Sequence, residues 1–512
     1  MERSFVRPLG ILFAVAICAA VLLLGAPAAQ AAPAAPDVVK TFAQPDGKTL
    51  PLRLWGDEFA HGWETLDRYT VAFNKATGYW EYAVRDASGW LAPSGRVVGA
   101  DAPPAAPGLK PDVRVIEQER AAKGAPSIAA APTAAPPWAG PDTDVLFIMV
   151  GFTDLPCTFT AAQMQTNMFG GGATGPGDLD DYYREISYGK LEIDGRVVGC
   201  YNLANNRSHY DDGPGSAATL VAEAVALADG DVDFSQFDND GNNVVDSLGI
   251  IYAGGGAHDG CFTDDPPDGS GGDDLWPHSG STGGTGTADG VTVNPYIINS
   301  EVTSSVTGGG TCNQMQTIGL FAHEFGHALG LPDLYDTDNS SEGVGFWSAM
   351  ASQYLSTVNL ADTPPHFDPW SKWMMGWVTP TDYTGQNVDG GVPQIEENGF
   401  VVQLLANPGG PQMGGSGEYF LVENRQQVKF DAQLPGCGLV IWHIEESQTN
   451  NRNEGHTTAS HRLVDVEEAD GLDELDTIQT PGDRGDAGDP FPGSSGNRLF
   501  ADATYPTSNL YN

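Results

Sequence analysis

Two histidines four residues apart, His323 and His327, with Glu324 between them and Asp333 six residues beyond, are the side chains of this sequence best placed to do chemistry. On a helix, positions i and i+4 leave one face a turn apart, so both ring nitrogens can reach a single cation at roughly 2.0 to 2.1 Å. Glu324 then stands beside that cation, where a carboxylate can take a proton from water. Gly330 tolerates the positive φ that turns a chain sharply off a helix, and Pro332 forbids the helix to resume. Asp333 is thereby returned toward the same cation from another direction. Three protein ligands and one position left for water are the set of a catalytic zinc, not a structural one. The chemistry this implies is hydrolysis by metal-activated water. A downstream glutamate, Glu342 or Glu423, is the competing third ligand and would give a thermolysin-like set.

The elements that must hold these groups follow from the apolar pattern. Thr317 to Ala322 leads into the motif with apolar residues and Ala328-Leu329 continues them, which predicts a zinc helix over about 317–330 in an apolar surround. Desolvation there keeps the imidazoles neutral and available as ligands. Met350, in the segment Gly345 to Ser352, follows at the distance of the Met-turn that floors the metal in metzincin peptidases.

The run IGLFAHEFGHALGLPDLYD from Ile318 to Asp336, followed by GFWSAMAS, resembles the immune inhibitor A family of secreted bacterial zinc peptidases. Further segments agree in order: Asp181 to Gly189 (DYYREISYG), Trp276-Pro277-His278, Pro369 to Lys372, Gly376-Trp377, and Gly438 to Ile444 (GLVIWHI). The resemblance spans roughly residues 140 to 500, with Gln44 to Gly47 near the start. It implies a zinc endopeptidase made as a zymogen. The fold class expected is α/β (α+β): a metzincin-like catalytic domain with a mixed twisted sheet, preceded by a small β-rich prosegment. Protein or peptide substrates and a monomeric state are expected. In a metzincin the strand before the zinc helix pairs with extended substrate, and Val291 to Asn299 is the candidate.

Composition narrows the classes further. A formal charge of −43 disfavours nucleic acid as a partner, because phosphate binding needs a positive surface. Arg3 and Arg7, the apolar run Ile11 to Leu24 and Ala29-Gln30-Ala31 match the regions of a secretory leader, with cleavage expected after Ala31. No later run is long enough for a membrane span, so an exported, extracellular product is expected. Cys18 leaves with the leader; of the others, neighbour pairing predicts Cys157–Cys200 and Cys261–Cys312, leaving Cys437 unpaired. No cysteine lies between residue 32 and Cys157, so latency by a cysteine ligand is excluded and an Asp or Glu is the expected substitute.

Asp238, Asp240, Asn242 and Asp246 resemble the first part of a calcium loop, with oxygen side chains at positions 1, 3, 5 and 9. The match is partial: Gly241 falls at position 4 where 6 is usual, and Gly249 stands where a bidentate Glu belongs. A calcium-dependent surface-binding protein with an inactive peptidase fold is the alternative from another class, and the intact Glu324 argues against it.

Residues 32–137 are assigned to the prosegment, with strands at Leu50 to Leu54, Tyr69 to Phe73 and Trp80 to Val84 and Pro/Ala-rich linkers on either side of Val113 to Lys123. Residues 138–512 form the peptidase region. Its last part, about 395–512, is β-rich and contains an Arg484-Gly485-Asp486 sequence that is weak evidence for adhesion. A native product longer than Asn512 is allowed for. Glu423 and His443 sit in apolar strands, either as paired core groups or as groups that orient the site; Tyr354 and His443 are the candidates to hold the developing oxyanion.

Overall fold

A computed structural model describes residues 30–511 except 37, 123–134, 174, 212–215, 262–274, 285, 306–311, 387–390, 453–460 and 478–482. The leader expected over residues 1–31 therefore lies outside the described residues but for Gln30 and Ala31, as does most of the second Pro/Ala-rich linker.

The central sheet runs in the order Gln30–Ala31, His278–Gly280, Tyr296–Thr303, Leu248–Gly255, Thr143–Gly151, Ile193–Asn202, with Gln314–Met315 as a further partner of Tyr296–Thr303. The last four strands of that order are parallel neighbours, whereas Gln30–Ala31 and His278–Gly280 pair antiparallel. The sheet is therefore mixed. Val145 to Val150 is apolar throughout and wholly buried, as expected of a parallel strand covered on both faces. One face is covered by the helix Ile318–Ala328 and the helices Ala161–Phe169 and Leu179–Ile186, the other by Ala217–Ala228.

The structure splits the strand expected over Val291 to Asn299. Val291–Val293 joins a separate three-stranded sheet with Val244–Val245 and Gly286–Ala288, while Tyr296–Thr303 lies inside the main sheet with neighbours on both sides. The break falls at Pro295, which has no N–H to donate to a ladder and restricts the residue before it. The edge facing the site is His278–Gly280 instead.

Before this unit, six antiparallel strands from Val39 to Val97 form a meander, and a helix follows at Val113–Ala122. The three strands expected there are present. Its apolar residues Phe42, Leu52, Trp63 and Trp80 continue into Ala257, Trp276 and Tyr354 of the central unit as one buried cluster. At the other end a five-stranded sheet, from Thr381–Asp382 to Val464–Val466, buries Tyr419, Leu421 and Trp442 against the main core. Among the described residues, no helix is long and apolar enough to cross a membrane.

Candidate metal centre

All eleven residues of Ile318–Ala328 are buried. Phe321 meets Phe147 of the sheet edge-on at 5.7 Å between centroids, and Phe325 meets Tyr183 at 5.1 Å. Gly326 sits mid-helix, where glycine costs about 1 kcal/mol relative to alanine. A Cβ there would fall 2.5 Å from Met350 Sδ, so the close approach of Met350 requires it. The helix closes as expected: Gly330 has φ +96°, its N–H donates to His327 O at 2.8 Å, and Leu331 N donates to Gly326 O at 3.0 Å.

The turn returns Asp333 to the helix. Asp333 Oδ1 lies 3.2 Å from His327 Nε2 and 3.4 Å from His323 Nε2, and the two Nε2 atoms are 3.0 Å apart. The opposite nitrogens are committed. His323 Nδ1 faces Ala349 O at 2.8 Å and His327 Nδ1 faces Leu331 O at 2.9 Å; a carbonyl can only accept, so both Nδ1 atoms carry the proton. Burial holds His327 below the ordinary imidazole range, against the opposing pull of Asp333, so its Nε2 is left as a lone pair. Three acceptors thus converge in a dry site. Asp333 Oδ1 and Glu324 Oε2 are both buried and accept no hydrogen bond. A cation with affinity for two imidazoles and a carboxylate satisfies this arrangement, and nothing else in the donor set does.

The floor of the site is held from behind. Ser348 Oγ donates to Asp368 Oδ2 at 2.9 Å and accepts from Met350 N at 3.3 Å, which pins the turn carrying Ala349 O. Arg425 Nη1 donates to Trp347 O at 2.9 Å, and Trp347 Nε1 donates to Asp489 Oδ2 at 2.8 Å. Tyr183 OH donates to Ala322 O at 2.6 Å, next to His323.

The front is covered by the segment Gln30 to Pro36. Gln30 and Ala31 pair with Ser279 and His278 on the free edge of the sheet. Ala32 N then donates to Glu324 Oε1 at 3.0 Å. Trp276 Nε1 donates to Ala32 O and Tyr354 OH to Pro33 O, each at 2.6 Å. An acidic side chain was expected to approach the site from this part of the chain. The group that engages Glu324 is a main-chain nitrogen instead, while Asp57 stands behind it, paired with Arg120 at 2.7 Å and contacted by Tyr335 OH at 3.3 Å. Burial, then repulsion from Asp333, lifts Glu324 well above the usual carboxylate range.

The remaining candidates are distributed as follows. Glu342 pairs with Arg484 at 3.0 Å, and Glu423 pairs with Arg425 at 3.1 Å in a buried network with Lys372, so neither joins the histidines. His443 lies in the C-terminal sheet between Glu467 and Glu418, stacked on Tyr511, and is not part of the site. Of the two oxyanion candidates only Tyr354 reaches it. Asp238, Asp240 and Asp246 bring carboxylate oxygens within 4.8 Å of one another, whereas Asn242 Oδ1 accepts from Val244 N within its own turn. Cys157–Cys200 and Cys261–Cys312 are disulfides and Cys437 is free and exposed. Within Arg484-Gly485-Asp486 the arginine is paired to Glu342 and its carbonyl accepts from Phe346 N at 2.7 Å, which binds the loop to the floor of the site. Sequence reasoning passed over Trp276 as a contact to the covering strand and Asp368 as an anchor; the only signal was their presence in the recognisable runs around residues 276–278 and 369–372.

A buried two-histidine helix against a mixed sheet, with a carboxylate folded back onto both imidazoles, is a donor set able to hold a metal ion. Residues 157–378 match the model of the immune inhibitor A peptidase M6 catalytic domain. The chain is 30% identical over 225 positions to Immune inhibitor A of Bacillus thuringiensis subsp. alesti, covering 37% of this chain and 30% of that protein. It is 29% identical over 232 positions to Pre-pro-metalloprotease PrtV of Vibrio cholerae serotype O1, covering 39% of this chain and 24% of the relative. The match thus spans less than a third of the length of either relative.

Proposed function

We propose that this chain is a secreted zinc-dependent endopeptidase made in a latent form, with a leader over residues 1–31, a latency unit over 32–137 and the peptidase region over 138–512. The observation that carries the reading is the convergence of His323 Nε2, His327 Nε2 and Asp333 Oδ1, three buried atoms 3.0 to 3.4 Å apart. Zinc held by these three atoms would polarise a peptide carbonyl and make water acidic enough to react near neutral pH. Glu324 takes the proton from that water as its oxygen attacks the carbonyl carbon, then passes it to the departing amine as the C–N bond breaks. Tyr354 donates to the carbonyl oxygen, as it does to Pro33 O here. Met350 underlies the helix, and the edge His278–Gly280 offers main-chain groups to an extended substrate.

In this structure Ala32 and Pro33, which begin the proposed latency unit, lie over the site: Ala32 N engages the general base and Pro33 O takes the Tyr354 hydroxyl, which is the physical support for latency. The leader pattern and two disulfides support export to an oxidising compartment. Calcium on Asp238, Asp240 and Asp246 belongs to the same reading.

Glu324→Ala in the processed enzyme is expected to lower casein cleavage by a factor of about 10² to 10⁴ while zinc content stays near one per chain. Undiminished cleavage would refute the role of Glu324; loss of zinc together with activity would reassign it to the ligand set.

A further inference from the structure

A second site lies where the covering segment, the N-terminal sheet and two loops of the central unit meet. A partly open cavity of about 80 Å³ lies there, room for several waters or one small polyatomic ion. Its walls carry four cationic side chains: Arg53, Arg68 and Lys110 from the N-terminal unit and Arg484 from the C-terminal region. Among the described lining residues, two carboxylates face them. Glu64 is shared by Lys110 at 3.1 Å and Arg68 at 3.5 Å, and Glu342 is taken by Arg484 at 3.0 Å. The described lining therefore carries two positive charges in excess, in a chain whose formal charge is −43.

The donors are in excess as well. Arg53 Nε and Asn339 Nδ2, which line the cavity from opposite units, are both buried and meet no acceptor. A buried donor without an acceptor costs roughly 1–3 kcal/mol, more when it is charged, so two of them around one charged void mark the place of a missing acceptor. Burial, opposed by Glu64 and aided by Arg68, lowers Lys110 to about 8.

We infer that this cavity binds a small oxyanion, of the phosphate, sulfate or carboxylate kind, on Arg53, Arg68, Lys110 and Asn339. An anion there joins four segments at once: the strand with Arg53, the loop Asn339 to Glu342, the loop of Arg484, and Pro33 to Pro36 of the covering segment, which forms one wall. Arg484 also donates to Ala34 O at 3.4 Å. The bound anion thus tightens the hold on the covering segment. That consequence rests on the proposed latency, whereas anion binding itself does not.

Calorimetric titration of the full chain carrying Glu324→Ala, at constant ionic strength set with chloride, tests binding apart from any peptidase activity. Inorganic phosphate, sulfate and acetate are titrated separately. Saturable binding of phosphate or sulfate identifies a tetrahedral ion, and preference for acetate identifies a carboxylate. Arg53→Gln is expected to weaken that binding about tenfold or more, the worth of one charge-assisted bond. Asn339→Gly suits the backbone, since Asn339 has φ +61°, and is expected to weaken it without unfolding the chain. No heat beyond the chloride blank, or binding equal in both variants and the parent chain, overturns the inference. If binding holds while the rate of proteolytic activation ignores the anion, the site stands and its link to latency falls.

Discussion

Asp368 supports a prediction in which stability and metal affinity separate. Its carboxylate is fully buried and accepts three hydrogen bonds: from Ser371 N at 2.9 Å, Ser371 Oγ at 2.7 Å and Ser348 Oγ at 2.9 Å. Asp368→Ala leaves those three donors without an acceptor, at about 1–2 kcal/mol each, and removes the N-cap of the helix Pro369–Met374. Loss of a carboxylate whose charged form burial disfavours offsets part of this, so about 3–5 kcal/mol of stability should go. Asp368→Asn retains one oxygen and an amide that both hydroxyls can accept from, and should cost about 1 kcal/mol.

The second effect passes through Ser348 to the neighbouring carbonyl of Ala349, which fixes the ring of His323. Freeing that carbonyl should weaken zinc about 10- to 100-fold, the usual consequence of losing a partner that orients a ligand. Ser371→Ala is the control, since it removes one bond to Asp368 without touching Ser348. Urea unfolding of the metal-free chain measures the first effect and chelator competition the second. If Asp368→Ala loses stability while zinc affinity stays within about twofold of the parent and of Ser371→Ala, Asp368 braces the fold and does not position His323.

Tyr354→Phe should have opposite effects in two assays: the latent chain loses the bond to Pro33 O and is activated faster, while the processed enzyme turns over about 10²-fold more slowly with KM little changed. Equal activation rates and unchanged kcat would both contradict its placement. A pH effect follows from Asp489, which burial, with Asp486 and Asp470, lifts from 3.8 to about 8. The folded chain then holds a proton that the unfolded chain releases, so this group costs stability as pH rises from 3.8 to about 8. Asp489→Asn keeps an acceptor for Trp347 Nε1; in chelator it should melt above the parent chain at about pH 8.5, with the gap narrowing toward about pH 4, and a gap independent of pH would count against the shift.

The motif was legible because its logic is local. Spacing along one helix places His323 and His327, and a positive-φ glycine followed by a proline returns Asp333, all within eleven residues of sequence. Gly326 is understood only with Met350 in view, since the helix alone gives no reason for a glycine at that point. The division of Val291 to Asn299 between two sheets was not legible. Val291 to Asn299 reads as a strand by its apolar residues, but Pro295 divides it, and the edge that forms, His278–Gly280, has only three residues and no alternation to announce it. The main-chain contact to Glu324 was not legible for a related reason: it is made by a backbone N–H, which every residue but proline carries and which leaves no mark on composition.

Under the proposed function, covering and catalysis draw on the same atoms. Trp276 Nε1, Tyr354 OH and Glu324 are all engaged by Ala32 and Pro33. An inhibitor that used separate contacts could be strengthened without limit, but this one competes for groups a substrate needs, so its own hold cannot be removed by substitution there without damage to turnover. Tuning of latency must therefore fall on contacts away from the shared set, such as Ala34 N to Gly56 O and Ala35 N to His258 O, both at 2.7 Å, and on the charged cavity behind them. Substitutions in that outer group should change the activation rate and leave kcat of the processed enzyme as it was, the reverse of what Glu324 or Tyr354 would do.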